Sequence, residues 1–224
     1  MLKNMSMNNT HKILFALAVI ASMGLGIVFG AQQFSSPPSV SVAQLLPSTK
    51  TMPKFSFEKH DGEKVSEMIF QGQWSLVFFG FTSCPDYCPM ELQKLGKLLS
   101  LMDAGDDLQV VFVSVDPERD NQKKLANYVS FFHPQIIGLR ATNVELTSFA
   151  QFFGAAYDRS VIVDGKLLSI PAGVDMPTTA GDHYQVNHST RVFIVNPSGE
   201  YIGSFSSPSE LDDILFDMKA LMDW

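Results

Sequence analysis

The sequence predicts an α/β fold with a central mixed sheet, and three observations carry that prediction. SLVFFGF at 75–81 and LQVVFVSVD at 108–116 are short, continuous apolar runs of the kind buried on both faces in a parallel sheet. Between them, PMELQKLGKLLSLMD at 89–103 repeats Leu92, Leu95, Leu98, Leu99 and Met102 at helical spacing. Near the end, TRVFIVNPSGEYIGSF at 190–205 reads as two strands joined at a Pro-Ser-Gly turn, which makes part of the sheet antiparallel.

The elements follow in chain order. From Ile13 to Gly30 no residue is charged, and eighteen helical residues would cover roughly 27 Å, enough to cross a hydrocarbon core of about 30 Å. Lys3 and Lys12 precede this run and the next basic residue is Lys50, so the expectation is a single uncleaved transmembrane helix within residues 1–31, with its N-terminus in the cytoplasm. The competing reading, a cleaved signal peptide, fits less well because the apolar run is long for one. Residues 32–51 are rich in Ser, Pro and Gln and read as a flexible tether, which starts the folded domain at residue 52 and runs it to 224. Within it, 55–66 resembles a small hairpin around Asp61-Gly62. Residues 120–132 are helical, 136–139 form a short strand, and 143–155 and 208–222 form two more helices. The segment 158–188 predicts strands around Asp164-Gly165 followed by an irregular loop.

All 23 acidic residues, but only 14 of the 16 basic ones, follow the apolar run, so the remainder is more acidic than the net −7 of the whole chain. That balance argues against nucleic acid as a partner and against an anionic lipid surface for the folded domain.

Only two cysteines are present, Cys84 and Cys88 in GFTSCPDYCPM. A helix starting near Pro85–Pro89 would put both on one face, at its N-terminus, where thiolates are favoured. A disulfide closing so short a loop would restrict the unfolded chain little, so an inert staple is the weakest reading. A redox pair and half of a metal site both remain open. Two thiolates with an imidazole suit copper or zinc, and zinc normally takes a fourth donor. Of the five histidines, His11 lies beside the apolar run, while His60 and His133 sit where a turn or cap role fits better. His183 and His188 remain, and His188 directly precedes a strong apolar strand. Asp116, ending the second strand, could orient a ligand or an arginine, or cap the next turn; Arg119 reads as a solvated charge. The methionines form no cluster that would make a copper relay.

These segments together resemble the SCO/SenC family of copper-handling proteins that assist assembly of cytochrome c oxidase. Gly80, Phe81, Thr82, Cys84, Pro85, Asp86, Cys88 and Pro89 fall on its GxTxCPxxCP-type signature. Ser114 to Asp120 (SVDPERD), Phe132-His133-Pro134, Ile137-Gly138-Leu139, and then Tyr184, Val186, His188 and Ser189 match later segments in order. The resemblance covers most of 53–222 and implies a thioredoxin-like fold in which Cys84, Cys88 and His188 bind one copper, as Cu(I) or Cu(II), with Asp116 supporting the site. It implies a metallochaperone more than an enzyme, with the cysteines able to form a disulfide when empty. The implied recipient is the oxidase subunit carrying the dinuclear copper centre, or another copper protein, with a thiol–disulfide reductant as a further partner. The implied location is a bacterial cytoplasmic membrane, single-pass, with the domain in the periplasm. Ser83, Asn187 in place of an acidic residue before His188, and a long segment between Tyr157 and His188 depart from the family pattern. Two other functions fit the same residues: a membrane-tethered thiol–disulfide oxidoreductase and a copper or redox sensor.

Overall fold

Along the strand Trp74–Gly80, Leu76 and Phe78 face one side while Val77 and Phe79 face the other, and this period of two sorts the core into two layers. The structure is a computed structural model that describes residues 13–15, 17–20, 22–23, 38–102 and 105–224. Residues 39–223 form one unit. The predicted membrane span lies partly outside the described residues; those described within it are helical, and among the described residues no helix is long and apolar enough to cross a membrane.

Eight strands make the main sheet. In chain order they are β1 (Ala43–Thr51), β2 (Phe57–Lys59), β3 (Lys64–Val65), β4 (Trp74–Gly80), β5 (Leu108–Ser114) and β6 (Ile136–Arg140), then β10 (Val192–Val195) and β11 (Glu200–Phe205). Their spatial order is β1-β11-β10-β4-β5-β6-β2-β3. The pairs β4–β5 and β5–β6 are parallel, and the remaining pairs are antiparallel. The mixed sheet is therefore as predicted.

Helices α1 (Tyr87–Met102), α2 (Gln122–Phe132) and α4 (Leu211–Met222) cover one face, and α3 (Asn143–Phe153) covers the other. On α1 the buried stripe begins at Cys88 and continues through Leu92, Leu95 and Leu99, so one cysteine belongs to the core face of its helix. A second sheet, β8-β7-β9, is built from β7 (Tyr157–Val163), β8 (Lys166–Pro171) and β9 (Tyr184–His188). The β7–β8 turn is Asp164-Gly165, with φ of 50° and 72°, the left-handed pair that a tight two-residue hairpin requires. The turn is as predicted, but the stretch after β8 does not stay irregular to residue 188: Tyr184–His188 is drawn into strand β9 by antiparallel pairing with β7, a partner that no local periodicity reveals.

One boundary differs. Residues 43–51, which the sequence assigns to the tether, form the edge strand β1 on β11, with a register shift between Leu45 and Lys50 that contains Pro47. The reason lies far away in sequence. Asp217 on α4 is fully buried, and its carboxylate accepts the N–H groups of Ser41 (2.6 Å), Val42 (2.8 Å) and Ala43 (2.7 Å). Those contacts and the β11 ladder supply what AQLLPSTKT lacks in periodicity.

Candidate metal centre

Parallel pairing of β4 with β5, in the register Gly80 opposite Ser114, ends both strands at the same edge of the sheet. The loops that leave them, 81–86 and 115–121, are therefore neighbours, and Asp120 ties them together. Its buried carboxylate accepts the Thr82 N–H (2.9 Å), the Thr82 hydroxyl (2.5 Å) and the Ser114 hydroxyl (2.7 Å). A carboxylate so fully occupied fixes the backbone two residues before Cys84.

Cys84 sits in that loop, half-buried, and Cys88 is on the first turn of α1, fully buried; both are free thiols. The Cys88 N–H, in the helix's first turn, points to the Cys84 sulfur at 3.4 Å. His188 ends β9, and its Nε2 is 3.4 Å from the Cys88 sulfur. The ligand atoms of Cys84, Cys88 and His188 all lie within 4.8 Å of one another. His188, a hundred positions after Cys88, is thus brought to the same point as the two predicted cysteines.

The imidazole's orientation follows from its other nitrogen. Nδ1 is 2.9 Å from the Ser189 carbonyl, which can only accept, so the single proton of a neutral ring sits on Nδ1 and the Nε2 lone pair faces the sulfurs. Burial lowers the His188 pKa against the opposing Ser189 and Phe79 backbone contacts, which keeps that lone pair free at neutral pH. The rings of Phe81, Phe78 and Tyr87 surround the imidazole at 5.8, 6.0 and 6.3 Å between centroids. Tyr87 is held in turn by donating its hydroxyl to the Thr190 carbonyl at 2.8 Å. For Cys88, burial pushes the thiol pKa well up against the opposing Phe81 backbone contact, the reverse of the thiolate that the sequence leads one to expect at a helix N-terminus. Cation uptake there releases protons.

Asp116 touches none of the three. It is fully buried, accepts the Tyr184 hydroxyl on one oxygen and the Arg119 Nε–H on the other, and burial raises its pKa against both bonds. Arg119 also donates from Nη1 to the carbonyls of Tyr184 (3.1 Å) and Asp182 (3.2 Å), with its guanidinium 3.8 Å from the Tyr184 ring centroid. Tyr184 and His188 share a face of β9, four residues apart. Asp116 is therefore joined, through Arg119 and Tyr184, to β9, the strand that ends at His188. Arg119 is not the solvated charge read from the sequence: its side chain is 11% exposed.

Of the other histidines, His11 lies outside the described residues, and His60, His133 and His183 stand apart. His60 Nδ1 accepts the Gly138 N–H at 3.0 Å, and His133 caps α2 and accepts the Gln135 N–H at 3.2 Å, the turn and cap roles expected of them. His183 is exposed and lines a cleft of about 430 Å³ with Ser83, Pro85 and Arg119, outside the three-residue cluster. Asn187 points to the opposite face of β9 from His188, donating to Asp158 at 2.9 Å, so its lost charge does not bear directly on the imidazole.

Sequence reasoning assigned no role to Gly80, Asp120 or Tyr184, although all three lie in the segments that carry the family resemblance. Counting back by twos from His188 finds Tyr184; Asp120 carries no local signal and needs the β4–β5 pairing. A Cβ on Gly80 would lie 2.7 Å from the Phe112 ring and 2.8 Å from the Cys88 sulfur. Gly80→Ala is therefore expected to push that sulfur off its position and to cost about 1–3 kcal/mol. Thermal denaturation reads the cost; a melting temperature equal to wild type would contradict so tight an approach.

Residues 43–223 match the SCO1/SenC family model. The human mitochondrial SCO1 homolog is 32% identical over 163 residues, which cover 71% of this chain and 49% of that protein, so this chain spans about half the length of that relative. Among solved structures, apo Sco1 from Thermus thermophilus superposes with a TM-score of 0.67 at 30% identity, covering 84% of this chain and 99% of that one. Copper-bound ScoI from Arabidopsis thaliana superposes with a TM-score of 0.64 at 30% identity, covering 77% and 98%. With the mixed sheet and the cysteine loop at its strand ends, these matches place the chain in the SCO1/SenC family.

Proposed function

We propose that the protein is a copper metallochaperone that holds one copper ion on Cys84, Cys88 and His188 and passes it to a copper protein, the dinuclear copper subunit of cytochrome c oxidase being the recipient the family implies. The observation that carries this reading is the convergence of two thiols and a lone-pair-bearing imidazole within 4.8 Å. Soft sulfur donors with one nitrogen suit Cu(I), and three donors are enough for it. Among the described residues no further His, Cys, Asp or Glu joins the group, as a structural zinc would want. Copper-bound relatives of the same fold support the choice of cation.

Delivery follows from the difference between the ligands. Cys88 is fully buried and His188 is enclosed by aromatic rings, whereas Cys84 is partly exposed in a loop. An incoming thiol or imidazole of the recipient meets the cation on the Cys84 side, and ligand exchange proceeds from there. We place the domain in the periplasm of a bacterium, tethered by the apolar run Ile13–Gly30, whose flanking Lys3 and Lys12 support a cytoplasmic N-terminus. The partial exposure of Cys84 also favours a second reading, a thiol–disulfide oxidoreductase in which Cys84 attacks a partner disulfide and Cys88 resolves the mixed disulfide, oxidising the pair and reducing the partner's cysteines.

Anaerobic Cu(I) titration against a chelator separates the two. Wild type is expected to take up one equivalent, and Cys84→Ser/Cys88→Ser none. Equal uptake by both would sink the chaperone reading, while turnover of a protein disulfide by metal-free wild type that takes up no copper would favour the second.

A further inference from the structure

Helix α2 presents two different faces. Leu125 and Val129 turn into the core, while Lys124, Tyr128 and Phe131 recur at helical spacing on a second face. Phe131 is 83% exposed, the most exposed large apolar side chain among the described residues. It does not stand alone: its ring lies 5.2 Å from Phe132, whose ring lies 5.1 Å from Tyr128. With Thr82 and Pro89, from the two sides of the cysteine pair, these rings line a groove of about 440 Å³. The groove has a charged end. Lys124 is the one charged residue that lines it, and its Nζ donates to the Ser83 hydroxyl at 2.8 Å. Ser83 precedes Cys84, so this ammonium stands beside the loop of the partly exposed thiol. The Asp120 carboxylate, 3.7 Å away, already accepts from Thr82 and Ser114.

We propose that this groove docks the copper recipient, taking an apolar side chain of that protein against Phe131 and a carboxylate at Lys124. Seven helical residues separate the two ends, so the recipient presents those groups about 10 Å apart. This deepens the copper-chaperone reading and rests on it. Charge and position select the occupant. A cationic end on a chain of net charge −7 favours an acidic partner face. A protein seated between Thr82 and Phe131 also holds its own ligands beside Cys84, where exchange begins. Delivery requires a partner at this loop, which self-association would obstruct.

Phe131→Ser removes the apolar end of the groove. Lys124→Gln removes the charge and keeps a donor for Ser83. Each full-length protein is loaded with Cu(I), and transfer is followed to the copper-free soluble domain of the oxidase subunit that carries the dinuclear centre, over a range of recipient and salt concentrations. Both variants are expected to keep the wild-type melting temperature and the wild-type Cu(I) affinity by chelator competition. Phe131→Ser is expected to need roughly tenfold more recipient for half-maximal transfer, as loss of an aromatic anchor does. Wild-type transfer slows as salt rises, and Lys124→Gln loses most of that dependence. A wild-type recipient requirement in Phe131→Ser, or an unaltered salt dependence in Lys124→Gln, overturns the inference while leaving the chaperone reading in place. Altered Cu(I) affinity in Phe131→Ser also overturns it, because the groove would then belong to the metal centre. Self-association of wild type that Phe131→Ser abolishes, with transfer unchanged, assigns the groove to a second copy instead. Wild type that takes up Cu(I) but passes none to this domain overturns the docking and leaves the metal site standing. Wild type that takes up no Cu(I) overturns both.

Discussion

His188→Ala is expected to fold and to keep both thiols reduced, yet to hold Cu(I) more than about 100-fold more weakly than wild type, since loss of a direct ligand should exceed the 10–100-fold cost of losing an outer hydrogen-bond partner. The imidazole ends a strand that Tyr184, Arg119 and Asp116 anchor independently, and its own pairing partner on β7, Tyr157, is met through the backbone. Truncation therefore removes the Nε2 donor without releasing β9. The cavity left among Phe78, Phe81 and Tyr87 costs stability, but only on the scale of a single side chain. Chelator competition measures the affinity and circular dichroism checks the fold. Affinity within threefold of wild type would mean that the two sulfurs hold the cation alone, and would remove the reason for distinguishing this site from a plain dithiol.

The largest stability effect is expected at Glu118. Arg159 on β7 is fully buried, and its Nη1 donates to both Glu118 oxygens at 2.9 Å. Glu118 also accepts from Asn143 at the start of α3 (2.9 Å) and from the Met176 N–H (3.0 Å). One carboxylate thus joins the 115–121 loop, α3 and the small sheet that carries His188. Glu118→Ala strands a guanidinium in the interior, a change that costs about 3–5 kcal/mol when both partners are buried. Glu118 keeps 28% exposure, so the low end, about 3 kcal/mol, is expected, with a melting temperature lower by roughly 10 °C. A fall under about 2 °C would show that water reaches Arg159. Acid gives a second readout. Burial alone would raise the Glu118 pKa, but the Met176 N–H, Asn143 and Arg159 outweigh it and hold the carboxyl below the ordinary range. Its contribution is therefore present above the unfolded-state value and lost as pH falls through the lowered folded one. Glu118→Gln is expected to lose that acid-dependent step.

Much of the architecture was legible because its signals are local. Leu92, Leu95 and Leu99 mark the buried face of α1 by spacing alone, and SLVFFGF and LQVVFVS read as doubly buried strands before any pairing is known. The same stripe, extended one turn back, reaches Cys88 and foretells its burial. The edge strand 43–51 was not legible, since its order comes from Asp217 and β11, far away in sequence. Arg119 was misjudged for a related reason. Whether a polar side chain faces water depends on what packs over it, and for Arg119 that is the ring of Tyr184.

By itself the sequence determined the strands and helices of the main sheet from residue 55 onward, the cysteine pair at a strand–helix junction, and the motif series that identifies the family, but neither the edge strand 43–51 nor the strand 184–188. The features it determined depend on periodicity and on residues close together in the chain. Tertiary structure decided which histidine meets the sulfurs, that Asp116 bonds Arg119 and Tyr184 and none of Cys84, Cys88 and His188, and that Asp120 fixes the cysteine loop. Each is a contact between elements brought together by sheet pairing, and pairing is set by the packing of the whole domain, which no local pattern encodes.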